Sequence, residues 1–144
     1  MTSNNFKIHN IKTLKELYSS YEVYAYMYPD MPKKEFQANV KWMFQNNIKF
    51  IAAKDKSKII AITAYWISVR LHSGKFLQID SLIIDPKYQN HKLGTQIIEH
   101  LEKIALKEKA EHYVLDVYTE NHKALKLYAK HDFVIRGYHI MKSL

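Results

Sequence analysis

The sequence predicts an α/β domain of the α+β kind, a mixed, mostly antiparallel sheet flanked by helices. The expected order is β-α-α-β-β-β-α-β-α-β, with room for one more strand at the end. Three observations predict it. Apolar residues recur at helical spacing early in the chain, switch to strand-like runs between residues 50 and 84, and return to a helical period after Pro86. The run from Ile59 to Leu71 is long and β-branched, as a buried strand requires. No Pro-, Gly- or Ser-rich stretch, repeat or low-complexity tract interrupts the chain. Its 144 residues therefore read as one domain, 1–144, within the usual size of a single core.

Each element has a local cause. Phe6 to Asn10 alternates apolar and polar residues, which suits a short first strand. Leu14, Leu17, Tyr18 and Tyr21 recur at i, i+3, i+4 and i+7 on one helix face, with Thr13 as N-cap. Tyr28-Pro29-Asp30-Met31-Pro32 reads as a bent loop, and Phe36, Val40, Met43 and Phe44 stripe a second helix. Phe50–Lys54 and Ile59–Leu71 flank the turn-forming tetrad Asp55-Lys56-Ser57-Lys58. His72-Ser73-Gly74-Lys75 then leads into Phe76–Ile84, making an antiparallel meander. Unbroken alternation would set Leu77, Ile79, Ser81 and Ile83 on one face of that strand, and Gln78, Asp80, Leu82 and Ile84 on the other. After Asp85-Pro86, residues Leu93, Ile97, Leu101, Ile104 and Ala105 trace an amphipathic helix. Tyr113–Tyr118 follows as a strand. Asn121 caps a short helix carrying Ala124, Leu125 and Tyr128, and Phe133–Met141 closes the domain as a strand or pair of strands.

Composition narrows the function. With 47% hydrophobic and 13% aromatic residues the chain can build a core. No run approaches the roughly 20 apolar residues that span a bilayer, and Met1–Asn10 lacks the layout of a signal peptide. Cysteine is absent, which excludes disulfides, thiolate metal sites and a Cys nucleophile, and fits a cytoplasmic location. The eight His residues form no His-x₃-His pair and no HExxH, so no metal is expected.

A net charge of +8 suggests an anionic partner, such as nucleic acid, anionic lipid or a phosphate-bearing small molecule. Lysine bias explains the surplus as readily. The only arginines, Arg70 and Arg136, are few for phosphate or base forks, and no helix-turn-helix or RRM signature is present, which disfavours a nucleic-acid-binding module. Residues 1–72 hold 11 cations against 5 anions, whereas residues 73–144 hold 11 against 9. Most of the surplus thus lies in the first half.

The segment Gln89, Asn90, His91, Lys92, Leu93, Gly94 and Thr95 joins a strand to a helix. Its unbonded N–H groups and the helix dipole converge where a phosphate would sit, Gly94 permits close approach, and His91 and Lys92 stand beside it. An ordinary solvated turn is the plainer alternative.

These pieces together resemble the GNAT family of N-acetyltransferases. The likeness runs from Ile79 to Phe133: Ser81-Leu82-Ile83-Ile84-Asp85-Pro86, then Gln89-Asn90-His91-Lys92-Leu93-Gly94, then Val114–Tyr118, then Asn121-His122-Lys123-Ala124-Leu125-Lys126-Leu127-Tyr128, and finally Asp132-Phe133. Two positions depart from the family pattern. Lys92 stands where a Gly is expected in the loop, and Asp132 replaces the Gly before Phe133. A Cβ at Lys92 calls for a negative φ or a reshaped loop, although its ammonium would add charge for a phosphate.

The resemblance implies acetyl transfer from acetyl-CoA to a primary amine, by direct attack in a ternary complex and without a metal. It implies that Leu82, Ile83 and Ile84 line the pantetheine arm, that a backbone N–H near Leu82 stabilises the oxyanion, and that the 89–95 loop holds the pyrophosphate. By family position Tyr128 protonates the departing thiolate, against the alternative of a packed, carbonyl-bonded ring. Asp80 takes a proton from the amine through water or binds its cation, unless it only bonds a neighbouring turn. Asn121 caps its helix and reaches the cofactor. The acceptor site falls to the first half, with Tyr26, Tyr28 and Trp66 as candidates beside Asp80. The acceptor is a small amine or a peptide amine, no membrane is involved, and the chain is a monomer or homodimer. A non-catalytic acyl-CoA-binding sensor on the same fold is the alternative.

Overall fold

The structure, a computed structural model, describes residues 6–144. It divides into two compact units, the first ending at Val114 and the second running from Leu115 to Leu144.

The meander dominates the first unit. Strand β1 (Lys7–Asn10) pairs antiparallel with β2 (Lys49–Asp55), β2 with β3 (Lys58–Arg70), and β3 with β4 (Gly74–Ile84). Strand β5 (His112–Leu115) lies parallel beside β4, completing a five-stranded mixed sheet in sequential order. It is shorter than the expected Tyr113–Tyr118, because Asp116–Tyr118 leave the ladder.

Helices α1 (Leu14–Tyr18), α2 (Tyr21–Tyr24) and α3 (Lys33–Gln45) stand where two helices were expected. The Thr13 hydroxyl accepts from the Glu16 amide at 3.2 Å, capping α1. The helix then breaks at Ser19-Ser20. Both hydroxyls donate to carbonyls of the preceding turn, Ser19 to Glu16 and Ser20 to Leu17, each at 2.5 Å. Serines that bond the backbone in this way compete with helix continuation. Tyr21 therefore opens a separate turn.

Leu17, Val23, Tyr24, Phe36 and Val40 from these helices form one buried cluster with Phe50, Ala52, Ile62, Ala64 and Ile83 of the sheet. Helix α4 (Leu93–Lys107) packs on β4 and buries Leu93, Ile97, Ile98 and Leu101 completely or nearly so. Each such side chain contributes about 1.5–3 kcal/mol of burial energy.

In the second unit, α5 (His122–Lys130) begins where the Asn121 side chain accepts from the Ala124 amide at 3.1 Å. The expected closing strand over Phe133–Met141 does not form. Those residues carry no strand, and Val134, Ile135, Tyr138, Ile140 and Met141 are exposed. The segment has paired neighbours, Val134-Ile135 and Ile140-Met141, in place of alternation, and Gly137 sits at its middle. A strand needs a ladder partner as well as propensity, and among the described residues this one has none.

Candidate functional site

The first part of the site is the turn from β4 into α4. The Asp85 carboxylate is buried, accepts from the Lys87 amide at 3.0 Å, and lies 4.0 Å from the Lys58 ammonium. It caps a short 3₁₀ turn, Pro86–Tyr88. The Tyr88 hydroxyl donates to Asp55 at 2.6 Å, which ties this turn back to the end of β2, and that bond raises the hydroxyl above the usual phenol range. Phe6, Tyr88 and His91 pack edge-on or tilted, with ring centroids 5.5–6.2 Å apart. Gln89 and Asn90 are exposed, and the Gln89 side chain donates to the Ile84 carbonyl at 3.3 Å.

Lys92 occupies the N-cap position of α4 at φ 57°, ψ 17°, in the left-handed region, and no side chain caps the helix. The first intrahelical bond runs from Gln96 to the Lys92 carbonyl. The amides of Leu93, Gly94 and Thr95 precede it, so they have no partner inside the helix and point with the dipole toward a prospective anion. This donor set suits a pyrophosphate.

The second part is a bulge in β4. Ile83 pairs with Ile62 and Asp80 with Ala64, so two residues, Ser81 and Leu82, stand opposite Thr63 alone. Ser81 has φ 53°. Neither Ser81 nor Leu82 has a register partner on β3, which withdraws their main chain from the ladder at this point.

The bulge also changes the faces of the strand. Ile62 and Ala64 are two residues apart on β3, so Asp80 shares a face with Ile83, not with Leu82 and Ile84 as unbroken alternation required. Ile84 pairs with Ala61 on the opposite face, the side of Ile79 and its partner Tyr65. Two successive polar residues, Asp80 and Ser81, where alternation would place only one, are the sequence's sign of this irregularity.

Asp80 consequently faces the helices α1–α3. The Tyr28 and Ser81 hydroxyls hydrogen-bond at 2.7 Å, and Ser81 lies 3.5 Å from an Asp80 carboxylate oxygen. Tyr24 stands against the same group. Its ring stacks near Tyr28 at 6.5 Å, and burial, then the charges of Asp80 and Tyr28, push its hydroxyl well above the ordinary phenol range. Tyr24 opens the aromatic segment in which the acceptor site is expected, although Tyr26 and Tyr28 are the tyrosines singled out there from the sequence. Tyr26 is exposed and stands apart from this cluster. Trp66 lies on the face of Ala64 and lines a surface hollow of about 280 Å³ with Trp42, Asn46 and Ile48.

The second unit holds Asn121 and Tyr128. The Tyr128 ring packs edge-on against Phe133 at 5.7 Å. Amides of Asp132 and Phe133 donate to the carbonyls of Ala129 and Tyr128, ending α5 in a Schellman motif with Asp132 at φ 64°. Burial raises the Tyr128 hydroxyl to about 12, so it keeps its proton at neutral pH.

A sequence profile of the acetyltransferase (GNAT) family matches residues 11–133. The chain belongs to the GNAT family. Solved structures share its fold. An aminoglycoside acetyltransferase from an uncultured soil metagenomic sample matches with a TM-score of 0.81 at 18% identity, covering 99% of each chain. Glucosamine-6-phosphate N-acetyltransferase from Arabidopsis thaliana matches with 0.76 at 17%, covering 97% of this chain and 99% of that one. Ribosomal-protein-alanine N-acetyltransferase from Brucella melitensis biovar Abortus 2308 matches with 0.80 at 12%, covering 96% and 98%. A search among curated proteins finds no match.

Within the GNAT pattern both departures acquire a physical meaning. Lys92 and Asp132, which replace the family's glycines, both adopt positive φ, at 57° and 64°. The backbone keeps the conformation suited to glycine and forces it on residues that carry a Cβ. A negative φ at Lys92, one of the two expected outcomes, does not occur. Among the described residues, no helix of this GNAT chain is long and apolar enough to cross a membrane.

Proposed function

We propose that this GNAT chain is an N-acetyltransferase that moves acetyl from acetyl-CoA to a primary amine in a ternary complex. The observation that carries the reading is the bulge at Ser81–Leu82, with Asp80 on its helix-covered face and the uncapped start of α4 following it in the chain. Acetyl-CoA, when bound, supplies an acetyl group activated as a thioester.

The amides of Leu93, Gly94 and Thr95, with Lys92 and His91 beside them, would hold its pyrophosphate, and the main chain of Leu82–Ile84 its pantetheine arm. An amide released by the bulge would stabilise negative charge on the carbonyl oxygen, a device whose removal costs other enzymes about 3–4 kcal/mol. Asp80 accepts a proton from the acceptor amine, directly or through water. That help matters, because an alkylamine of pKa about 10.4 is almost wholly protonated at neutral pH. Tyr128, neutral and half-buried, returns a proton to the leaving sulfur. Asn121 uses its side-chain carbonyl as a helix cap, leaving its amide N–H groups for the cofactor.

The named relatives act on an aminoglycoside, a sugar phosphate and a protein alanine, so the shared fold does not choose the acceptor. A non-catalytic acyl-CoA-binding sensor, which the Lys92 departure suggests, is the second reading, and turnover separates the two.

Thiol release from acetyl-CoA with polyamines, aminoglycosides, amino acids and peptides as acceptors tests the reading. Turnover with one class is the expected result. Absence of turnover with every class, together with no CoA binding by calorimetry, removes it.

A further inference from the structure

The tyrosines of the first unit's helices differ in what their hydroxyls do. Tyr21 donates to the Met31 carbonyl at 2.9 Å, and Tyr28 is bonded to Ser81. Tyr24 is 7% exposed, and its hydroxyl has no hydrogen-bond partner. Its ring packs on Phe36 at 5.3 Å. A phenylalanine would fill the same ring position without burying an unsatisfied hydroxyl, so the hydroxyl carries a cost that packing alone does not explain. It lies where α2 packs on β3 and β4, beside Tyr28, whose hydroxyl meets Ser81 next to Asp80 at the bulge.

We propose that Tyr24 positions the acceptor, its hydroxyl oxygen and the Asp80 carboxylate each accepting one N–H of the incoming neutral amine. A primary amine offers two N–H donors and one lone pair. With both donors engaged, the lone pair is left for attack. A tertiary amine has no N–H when neutral and a single one as its cation, so in either form it leaves the Tyr24 oxygen unmet, and the site favours amines with two or more N–H donors. This rests on the acetyltransferase reading for its acceptor, and Tyr24 adds the discrimination.

The test compares phenethylamine with N,N-dimethylphenethylamine as ligands of the chain saturated with CoA, by calorimetry, in the native protein and in Tyr24→Phe. The native protein should prefer the primary amine about tenfold or more, since a site built to hydrogen-bond a group rejects analogues lacking it. Tyr24→Phe should bring the two amines within about twofold of each other, bind CoA as before, and melt no lower than the native chain. A preserved preference in Tyr24→Phe overturns the proposal, as does failure of the native chain to bind or distinguish the amines. A lower melting temperature also overturns it, because it would mean that the hydroxyl is already partnered. Selective amine binding with no thiol release from acetyl-CoA for any acceptor class would keep this site and count against the acetyl-transfer reading instead.

Discussion

Tyr28 and Ser81, 53 residues apart in the chain, are joined by a hydrogen bond of 2.7 Å between their hydroxyls. The bond ties the Pro-flanked loop after α2 to the bulge in β4, so the residues facing the proposed acceptor are held from two distant segments.

Tyr28→Phe should cost about 1 kcal/mol of stability, the usual net worth of one such bond. It should also lower kcat/KM for the acceptor while leaving CoA affinity unchanged. Urea unfolding and calorimetry measure both. Loss of CoA affinity in this variant would contradict the assignment of Tyr28 to the acceptor side.

Lys92 carries a side chain in a conformation that suits glycine. Lys92→Gly should therefore raise stability by roughly 0.5–1 kcal/mol, the relief of the left-handed strain being partly offset by glycine's greater chain entropy. Lys92→Val should lower it, since a β-branched residue tolerates positive φ least. A glycine variant that unfolds at lower denaturant than the native protein contradicts this account.

Tyr128→Phe should keep the ring contact with Phe133 and remove only the hydroxyl. If the hydroxyl protonates the leaving sulfur, kcat falls while CoA affinity holds, and an unchanged kcat withdraws the role. Its pH behaviour follows from burial, which raises the folded pKa to about 12 against an ordinary phenol near 10. The stability gained from keeping this group neutral is full below pH 10 or so and is lost as pH rises through the folded value. Tyr24, Tyr65 and Tyr88 are raised as well, so an ultraviolet tyrosinate titration should show several phenols ionising late, and one fewer in the variant.

Glu16 supplies an acid-side test. Burial pulls its pKa upward, but hydrogen bonds from Lys54 at 2.8 Å and His9 at 2.7 Å, with their charges, outweigh burial and lower it. The stabilisation is present above the ordinary carboxylate range, near 4.3, and disappears as pH falls through the lower folded value. Glu16→Gln should flatten the acid limb of the stability profile and change little of its pH dependence near neutrality. An acid limb unchanged in the variant would show the cluster to be screened by solvent.

The helix stripe of α4, the β2–β3 turn and the caps at Thr13 and Asn121 were legible because each is a local pattern. A cap needs only its own residue and the next three. The break at Ser19-Ser20 was less legible, since the stripe through Tyr21 fits one continuous helix and only the serine hydroxyls' choice of carbonyls ends it. At Phe133–Met141 propensity suggested a strand, and among the described residues no ladder forms there.

The sequence by itself determined the class of fold, the position of the α4 loop and the resemblance that the family profile bears out, because periodicity and motif spacing are written along the chain. The tertiary structure decided which face Asp80 presents. One extra residue in β4 reverses the parity of every side chain beyond it, and the bulge is visible only against the register of β3. Tertiary packing likewise chose Tyr24 and Tyr28 over Tyr26 as neighbours of that carboxylate, since identical side chains differ only in where the fold points them. It also imposed glycine's conformation on Lys92 and Asp132, a constraint set by the surrounding turns and not by the residues that bear it.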